Sequence, residues 1–312
     1  MNAGGTRPVA LPPSLRFIER DWLSSNQIIG IDGDRATVVD TGYPKQAART
    51  VALVRQTLAD AGAHLTRIVN THLHSDHCGG NRALIDAFGC TVTIPHGNVD
   101  DLASWETARR LFTVTGQDCP PFGFDDTLAP GDTLRLGGLD WDVHAAPGHD
   151  PKSLILHCAR ERLLISADAL WPDGFGIVFS EFDGMAGFAE QDEVLALIER
   201  LEVEVVLPGH GPMFGDVAAA VARARARLEA MRRDPARHAR YALKGMTKFL
   251  MLDYGRVEER WLREHLRAAP AVRHAATQAG MDYDEAFDWT ISALTRQGLL
   301  AREPGQLVDV AT

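Results

Sequence analysis

The run Thr71-His72-Leu73-His74-Ser75-Asp76-His77 places three imidazoles and a carboxylate within six consecutive positions, 72 to 77. An apolar, strand-like segment (TRIVNT, 66–71) leads into it, and Cys78-Gly79-Gly80 follows. On an extended chain His72 and His74 point the same way, and Asp76 and His77, past a turn, reach a neighbouring spot. Imidazole and carboxylate together suit Zn²⁺ and related divalent ions. One loop rarely completes such a site, so further ligands are expected at other strand ends. Three candidates stand there: His149 in Ala146-Pro147-Gly148-His149-Asp150, Asp168 in Ile165-Ser166-Ala167-Asp168, and His210 in Leu207-Pro208-Gly209-His210-Gly211. Each lies where an apolar strand gives way to a turn, the place where rigid scaffolds carry reactive groups. The remaining histidines (His64, His96, His144, His157, His238, His265, His274) read as ordinary surface or core residues.

Outward from this run, LRFIERDWL (15–23), NQIIGI (26–31) and RATVVDTG (35–42) read as short strands, with a turn at Asp32-Gly33-Asp34. Pro44 opens a helix whose apolar stripe is Ala47, Val51, Val54 and Leu58, and Gly62 ends it. A helix over roughly 79–88 and a strand over 91–95 come next, then a helix and long loop through 97–131. Strands follow over 133–148, 153–158 and 163–168, a helix over 187–201 and a strand near 204–211. Alternating strands and helices with hairpins between them point to layered α/β structure. After Gly215 an Ala/Arg-rich linking helix is expected over 216–234. Helical patterns at 257–268, 271–279 and 283–297 then lead to a small hairpin, together resembling a winged-helix unit over 235–312. Residues 1–13 read as a Pro/Gly lead-in and not a secretory signal.

With 312 residues, 45% hydrophobic and 24% charged, the chain can bury a sizeable core and is neither disordered nor a disulfide-stapled miniature. No apolar stretch approaches the ~20 residues of a spanning helix. Four scattered cysteines (Cys78, Cys90, Cys119, Cys158) without a C-x-x-C pair fit reduced thiols and a cytoplasmic setting. The net charge of −10 is uneven: residues 1–215 carry 16 basic against 29 acidic residues, and residues 216–312 carry 16 against 13. Like-charge repulsion disfavours nucleic acid on the first part and tolerates it on the second.

The order H-x-H-x-D-H, then a His, an Asp and a Gly-His-Gly, resembles the metallo-β-lactamase superfamily across roughly residues 14–215. The resemblance implies an α/β (α+β) fold, an αββα sandwich with a two-metal site at one edge of the paired sheets, here followed by the small helical, winged-helix-like appendage. It implies that His72, His74 and His149 hold one metal, that Asp76, His77 and His210 hold a second, and that Asp168 bridges them. Asp40, ending Val38-Val39-Asp40-Thr41-Gly42, matches the structural aspartate behind the metal loop, which orients ligands. The cofactors implied are two divalent ions, zinc first, with iron or manganese as alternatives. A hydroxide clamped between them would attack an electrophilic carbon or phosphorus, with Asp76 orienting it or moving its proton.

Aspartate at 168, where the main zinc β-lactamases carry cysteine, turns the expectation from antibiotics toward small esters, thioesters or lactones, the glyoxalase II and lactonase-like branch. Lys152, close in sequence to a ligand, is expected to bind an anionic substrate group, and Trp171 to line the substrate pocket. Aromatic residues of loops 95–131 and 171–188 are expected to set specificity. Two rival activities remain: a phosphodiesterase or endoribonuclease, supported by nine basic residues between 223 and 248, and a mononuclear-iron persulfide dioxygenase. The partner expected is a small molecule, with nucleic acid ranked second, no membrane, and a homodimer through the C-terminal helices as the non-catalytic role for the tail.

Overall fold

A computed structural model describes residues 10–310, so that most of the expected lead-in (1–13) lies outside the described residues. In chain order the elements are β1 (Leu15–Ile18), β2 (Gln27–Asp32), β3 (Arg35–Val39), α1 (Ala47–Ala61), β4 (His64–Val69), α2 (Ser75–Cys78), α3 (Asn81–Phe88), β5 (Thr91–Pro95), α4 (Trp105–Thr113), β6 (Asp126–Leu128), β7 (Thr133–Leu136), β8 (Leu139–Ala145), β9 (Leu154–Cys158), β10 (Leu163–Ala167), α5 (Gly187–Arg200) and β11 (Val205–Pro208). Then come α6 (Val217–Arg233), α7 (Pro235–Tyr254), β12 (Arg256–Glu258), α8 (Glu259–Ala268), α9 (Pro270–Gln278), α10 (Tyr283–Arg296), β13 (Leu300–Glu303) and β14 (Gln306–Asp309).

Strand side chains alternate faces, and here both faces of two sheets are apolar. The first sheet runs β1-β2-β3-β4-β5-β6 and the second β11-β10-β9-β8-β7. Ile28, Val39 and Val69 of the first sheet meet Trp141, Leu154, Leu156, Ile165 and Leu207 of the second between the sheets. Their neighbours Ile29, Val38 and Ile68 face outward to Val54, Leu58 and Leu84 of α1 and α3. On the other side Ile155, Leu164 and Val206 face Val194, Ile198, Val221 and Leu228 of α5 and α6. This period-two division builds four layers, helix–sheet–sheet–helix, and explains the near-continuous apolar strands of the sequence.

The stretch expected only to link two parts therefore does more. Ala220, Val221, Ala224, Leu228 and Met231 of α6 are buried in the outer layer over the second sheet. Two expectations for the tail need correction. Residue 257 is not helical: β12 pairs with β14, Val257 opposite Leu307, and the helix starts at Glu259. The 20-residue α7 has no counterpart among the expected helices, although Pro235 opens it and the Asp234 side chain accepts from the Arg237 N–H as its cap. The expected hairpin is β13–β14. α7, α9 and α10 share one further core, with Leu243, Met246, Leu250, Val272, Phe287 and Ile291, and Ile177, Phe179 and Phe182 of the preceding region pack onto it.

The four cysteines are buried free thiols, and no helix among the described residues is long and apolar enough to cross a membrane. His238 of α7 is fully buried, stacked on Phe182 (4.8 Å between centroids) and edge-on to Phe188. Burial, with the Arg227 guanidinium adding to it, pushes its pKa down to about 4. Unfolding returns it to ~6.5, so the unfolded chain binds the extra proton between those values and stability falls as pH drops through that window. Metal-free wild type should lose on the order of 3 kcal/mol more than His238→Phe between pH 7 and 4. Urea unfolding at the two pH values checks this, and equal losses would refute it.

Candidate metal centre

The centre begins with Asp40, just past β3. Its φ is +58°, a strained setting that surrounding bonds hold in place. Its Oδ1 accepts the Thr71 backbone N–H (2.9 Å), and its Oδ2 accepts the Thr71 hydroxyl (2.8 Å) and His77 Nδ1 (2.8 Å). Because the Thr71 proton goes to Asp40, its oxygen is free to accept from His72 Nδ1 at 3.1 Å. His149 Nδ1 donates to the Ile177 carbonyl at 2.6 Å. Outer ring nitrogens thus carry the protons of His72 and His149, whose inner Nε2 atoms face the centre with lone pairs as metal ligation requires, and the Nδ1 bond of His77 to Asp40 turns its Nε2 to the centre as well.

The inner atoms fall into two groups. His72 Nε2 and His149 Nε2 stand 3.1 and 2.8 Å from His74 Nδ1. Asp76, His77, Asp168 and His210 form the second group, and within each group the candidate ligand atoms lie within 4.8 Å of one another. Asp168 belongs to both neighbourhoods: its Oδ2 is 3.4 Å from His149 Nε2, while its Oδ1 is 3.3 Å from His77 Nε2 and 3.8 Å from His210 Nε2. Asp76 Oδ2 lies 3.1 Å from His210 Nε2. All seven residues expected from the sequence converge.

Electrostatics suit the same use. Burial, reinforced by the neighbouring imidazoles, lowers the pKa of His72 well below its usual value and that of His149 to about 4, so both are neutral. His74 is also lowered, chiefly by burial. Burial alone would lower His77 and raise Asp168, but their mutual attraction, with Asp40 and Asp76 on one side and His210 and His149 on the other, outweighs it. His77 is held well above and Asp168 well below its ordinary range. The fully buried His77 Nε2 nevertheless has no hydrogen-bond partner. In the metal-free chain that inward position carries the second proton of His77, facing Asp168 Oδ1 at 3.3 Å, and a cation backed by the same carboxylates would displace the proton and take the lone pair.

Close backbone approach explains the glycines. A Cβ on Gly209 would stand 2.3 Å from Asp168 Oδ1, and one on Gly176 would stand 2.3 Å from His149 Nδ1. Ala167, beside Asp168, takes φ +46°, a second strained residue next to a candidate ligand.

The two groups open into a cavity of about 910 Å³. Trp171 lines it and donates from Nε1 to Asp168 Oδ1 at 3.2 Å. Trp22, which no sequence signal marks, stacks on His210 at 5.4 Å. Lys152 does not reach the cavity: its ammonium is 2.6 Å from Asp101 Oδ2, which answers its charge and removes the reason for giving it a substrate anion. The aromatics Trp105, Phe112, Phe122 and Phe124 likewise pack on the first sheet's outer core, and Phe175 and Phe182 are packed in other cores. Of the expected specificity aromatics, Trp171 and Phe179 face the cavity. Part of the remaining wall comes from α7, through Tyr241, Gly245, Met246, Lys248, Phe249 and Leu252, and part from the 19–23 segment and from Leu111, Thr115 and Gln117.

Comparison with known proteins agrees with this geometry. An acyl-coenzyme A thioesterase MBLAC2 from Gallus gallus is 27% identical over 166 residues, covering 50% of this chain and 60% of that protein. A hydroxyacylglutathione hydrolase from Cereibacter sphaeroides is 35% identical over 126 residues, 40% of this chain and 42% of its own. The chain thus matches about half the length of these curated relatives. Among solved structures, a beta-lactamase domain protein from Burkholderia ambifaria superposes with a TM-score of 0.60 at 22% identity, over 99% of this chain and 97% of that one. A metallo-beta-lactamase family protein from Thermus thermophilus does so at 0.58 and 20%, over 96% and 100%; both therefore share the overall fold, C-terminal part included. The model of the metallo-beta-lactamase superfamily matches residues 20–210, the span that carries every residue of the two ligand groups, and the chain belongs to that superfamily.

Proposed function

We propose that this chain is a metal-dependent hydrolase with a two-ion centre that cleaves a small thioester, ester or lactone. The observation that carries the reading is the Asp168 carboxylate, turned with one oxygen toward His149 and the other toward His77 and His210. His72, His74 and His149 would hold one ion, Asp76, His77 and His210 the other, and Asp168 both. Two divalent ions, zinc first with iron or manganese as alternatives, would supply an activated water and polarise the substrate carbonyl. Asp76 faces the cavity and would orient the attacking water and take up its proton. Trp22 and Trp171 flank His210 and shield that side of the centre from bulk water.

The cavity favours an acyl compound. Its volume is within the ~300–1,000 Å³ range of small-molecule sites, and Leu23, Ile177, Phe179, Met246, Phe249 and Leu252 give it an apolar side. The names of the relatives point the same way: an acyl-coenzyme A thioesterase and hydroxyacylglutathione hydrolases. The reading places the metal chemistry in residues 14–215 and a substrate wall in 235–312. The basic stretch 223–248 speaks against the nuclease alternative. Arg225 and Arg232 are tied to Asp192, Arg223 to Asp173 and Lys248 to Asp309, and Arg227 lies over Phe175 and Tyr241. Five of the nine basic side chains are thus engaged within the chain.

Elemental analysis of the purified protein should find two divalent ions per chain, and Asp168→Ala should lower both metal content and turnover. Run against thioesters, lactones, an oligoribonucleotide and a β-lactam, the wild type should turn over a thioester fastest; faster cleavage of the oligoribonucleotide would overturn the reading. Asp40→Ala removes the acceptor that orients His77 and, through Thr71, His72. It should weaken metal binding by about 10–100-fold in a chelator competition while leaving the circular dichroism spectrum unchanged. Phe249→Ala should raise KM about 10-fold for a long-chain acyl thioester and leave an acetyl thioester unaffected; equal effects on both would remove the α7 wall from the acyl site.

A further inference from the structure

Residues 176–180, between β10 and α5, cross over the imidazole of His149. Gly176 N–H donates to the Asp168 carbonyl at 2.9 Å, and Ser180 Oγ donates to the Gly148 carbonyl at 3.2 Å, so the segment is fastened at both ends beside candidate ligands. Between these ties the Ile177 carbonyl accepts His149 Nδ1 at 2.6 Å, and the Phe179 ring packs on His74 and His149, with centroids 5.5 and 5.8 Å away.

The other side of the segment faces α7. Val178 N–H donates to His238 Nε2 at 3.3 Å, a buried contact across 60 residues of sequence. Ile177 C=O and Val178 N–H belong to one planar peptide group, whose oxygen and hydrogen point in opposite directions. A single peptide thus stands between two imidazoles: His238 accepts from its hydrogen, and its oxygen accepts from His149. An acceptor on the N–H side polarises the group and strengthens the bond on the C=O side. The N–H donor of a ligand histidine, when well held, fixes ring orientation and tautomer and raises the basicity of the opposite nitrogen. That opposite nitrogen is His149 Nε2, 3.4 Å from Asp168 and 2.8 Å from His74.

We infer that His238 is a positioning residue for the metal centre, setting the orientation and donor strength of His149 through the Ile177–Val178 peptide. The inference rests on His149 being a metal ligand. It makes α7 part of the machinery that shapes the centre as well as a wall of the cavity. The environment of His238 serves this use: sealed among Phe182 and Phe188, it stays neutral at physiological pH and keeps its Nε2 lone pair for Val178.

Cobalt(II) binding to the full chain tests the link, read as affinity by chelator competition and as the visible absorption of the bound ion. His238→Phe keeps a flat ring between Phe182 and Phe188 but removes the acceptor. It should weaken the more affected of the two sites by about 10-fold and alter its spectrum, with little change in the thermal midpoint of the metal-free protein. His238→Gln, whose amide oxygen can accept from Val178, should restore most of the affinity. Wild-type affinity and spectrum in His238→Phe would overturn the inference while leaving the two-ion reading intact; a wild type that binds no cobalt would overturn both. If the Phe variant does not fold, the wild type still decides the matter. An N–H···N bond transmits a scalar coupling between Val178 N and His238 Nε2 in ¹⁵N-labelled protein, and its absence would refute the link.

Discussion

The centre depends first on one buried carboxylate. Asp40 accepts three hydrogen bonds, two from Thr71 and one from His77, and through them it sets the starting point and the far end of the 71–77 loop together. Removing a charged acceptor from such a place leaves its donors unsatisfied in a low-dielectric interior, where that deficit costs most. The chain accepts a left-handed backbone at Asp40 to obtain this arrangement. Everything the loop presents to the cavity follows from it: His72 and His77 turn their inner nitrogens inward because their outer nitrogens are taken.

A second constraint is architectural. The candidate ligands come from five separate places, after β4, β8, β10 and β11 and within α2, and only the packing of two sheets brings those ends to one rim. The interior between the sheets, with Trp141 wholly buried, therefore bears on the centre by fixing where those strands end. A one-residue slip in the register of any of these strands would exchange its two faces and displace the residue at its end from the rim.

The rim is legible in the sequence because each ligand type carries its own chemistry and each stands where an apolar run stops. The four layers are legible for a related reason: strands such as Leu163–Ala167 are apolar on both faces, which calls for cover on both sides. What escapes is relational. Lys152 looks like an anion receptor until Asp101, distant in sequence, is seen to hold it. The helix α7 is hidden because its buried positions include His238, Ala239, Ala242 and Thr247, residues whose side chains give little hydrophobic contrast. Trp22 carries no periodic signal at all, and its stacking on His210 exists only once β1 and β11 are assembled. His238 reads from the sequence as an ordinary core histidine, and its bond to Val178 is invisible to any local pattern.

The division of labour between the two parts of the chain has an evolutionary consequence. Every candidate ligand lies between residues 72 and 210, whereas one side of the cavity wall is drawn from Tyr241 to Leu252. Mutation can therefore resculpt the shape of that wall without touching the atoms that would bind metal. Such change is limited where α7 meets the 176–180 crossing, as at His238 and Gly245, since a change there reaches the candidate ligands as well.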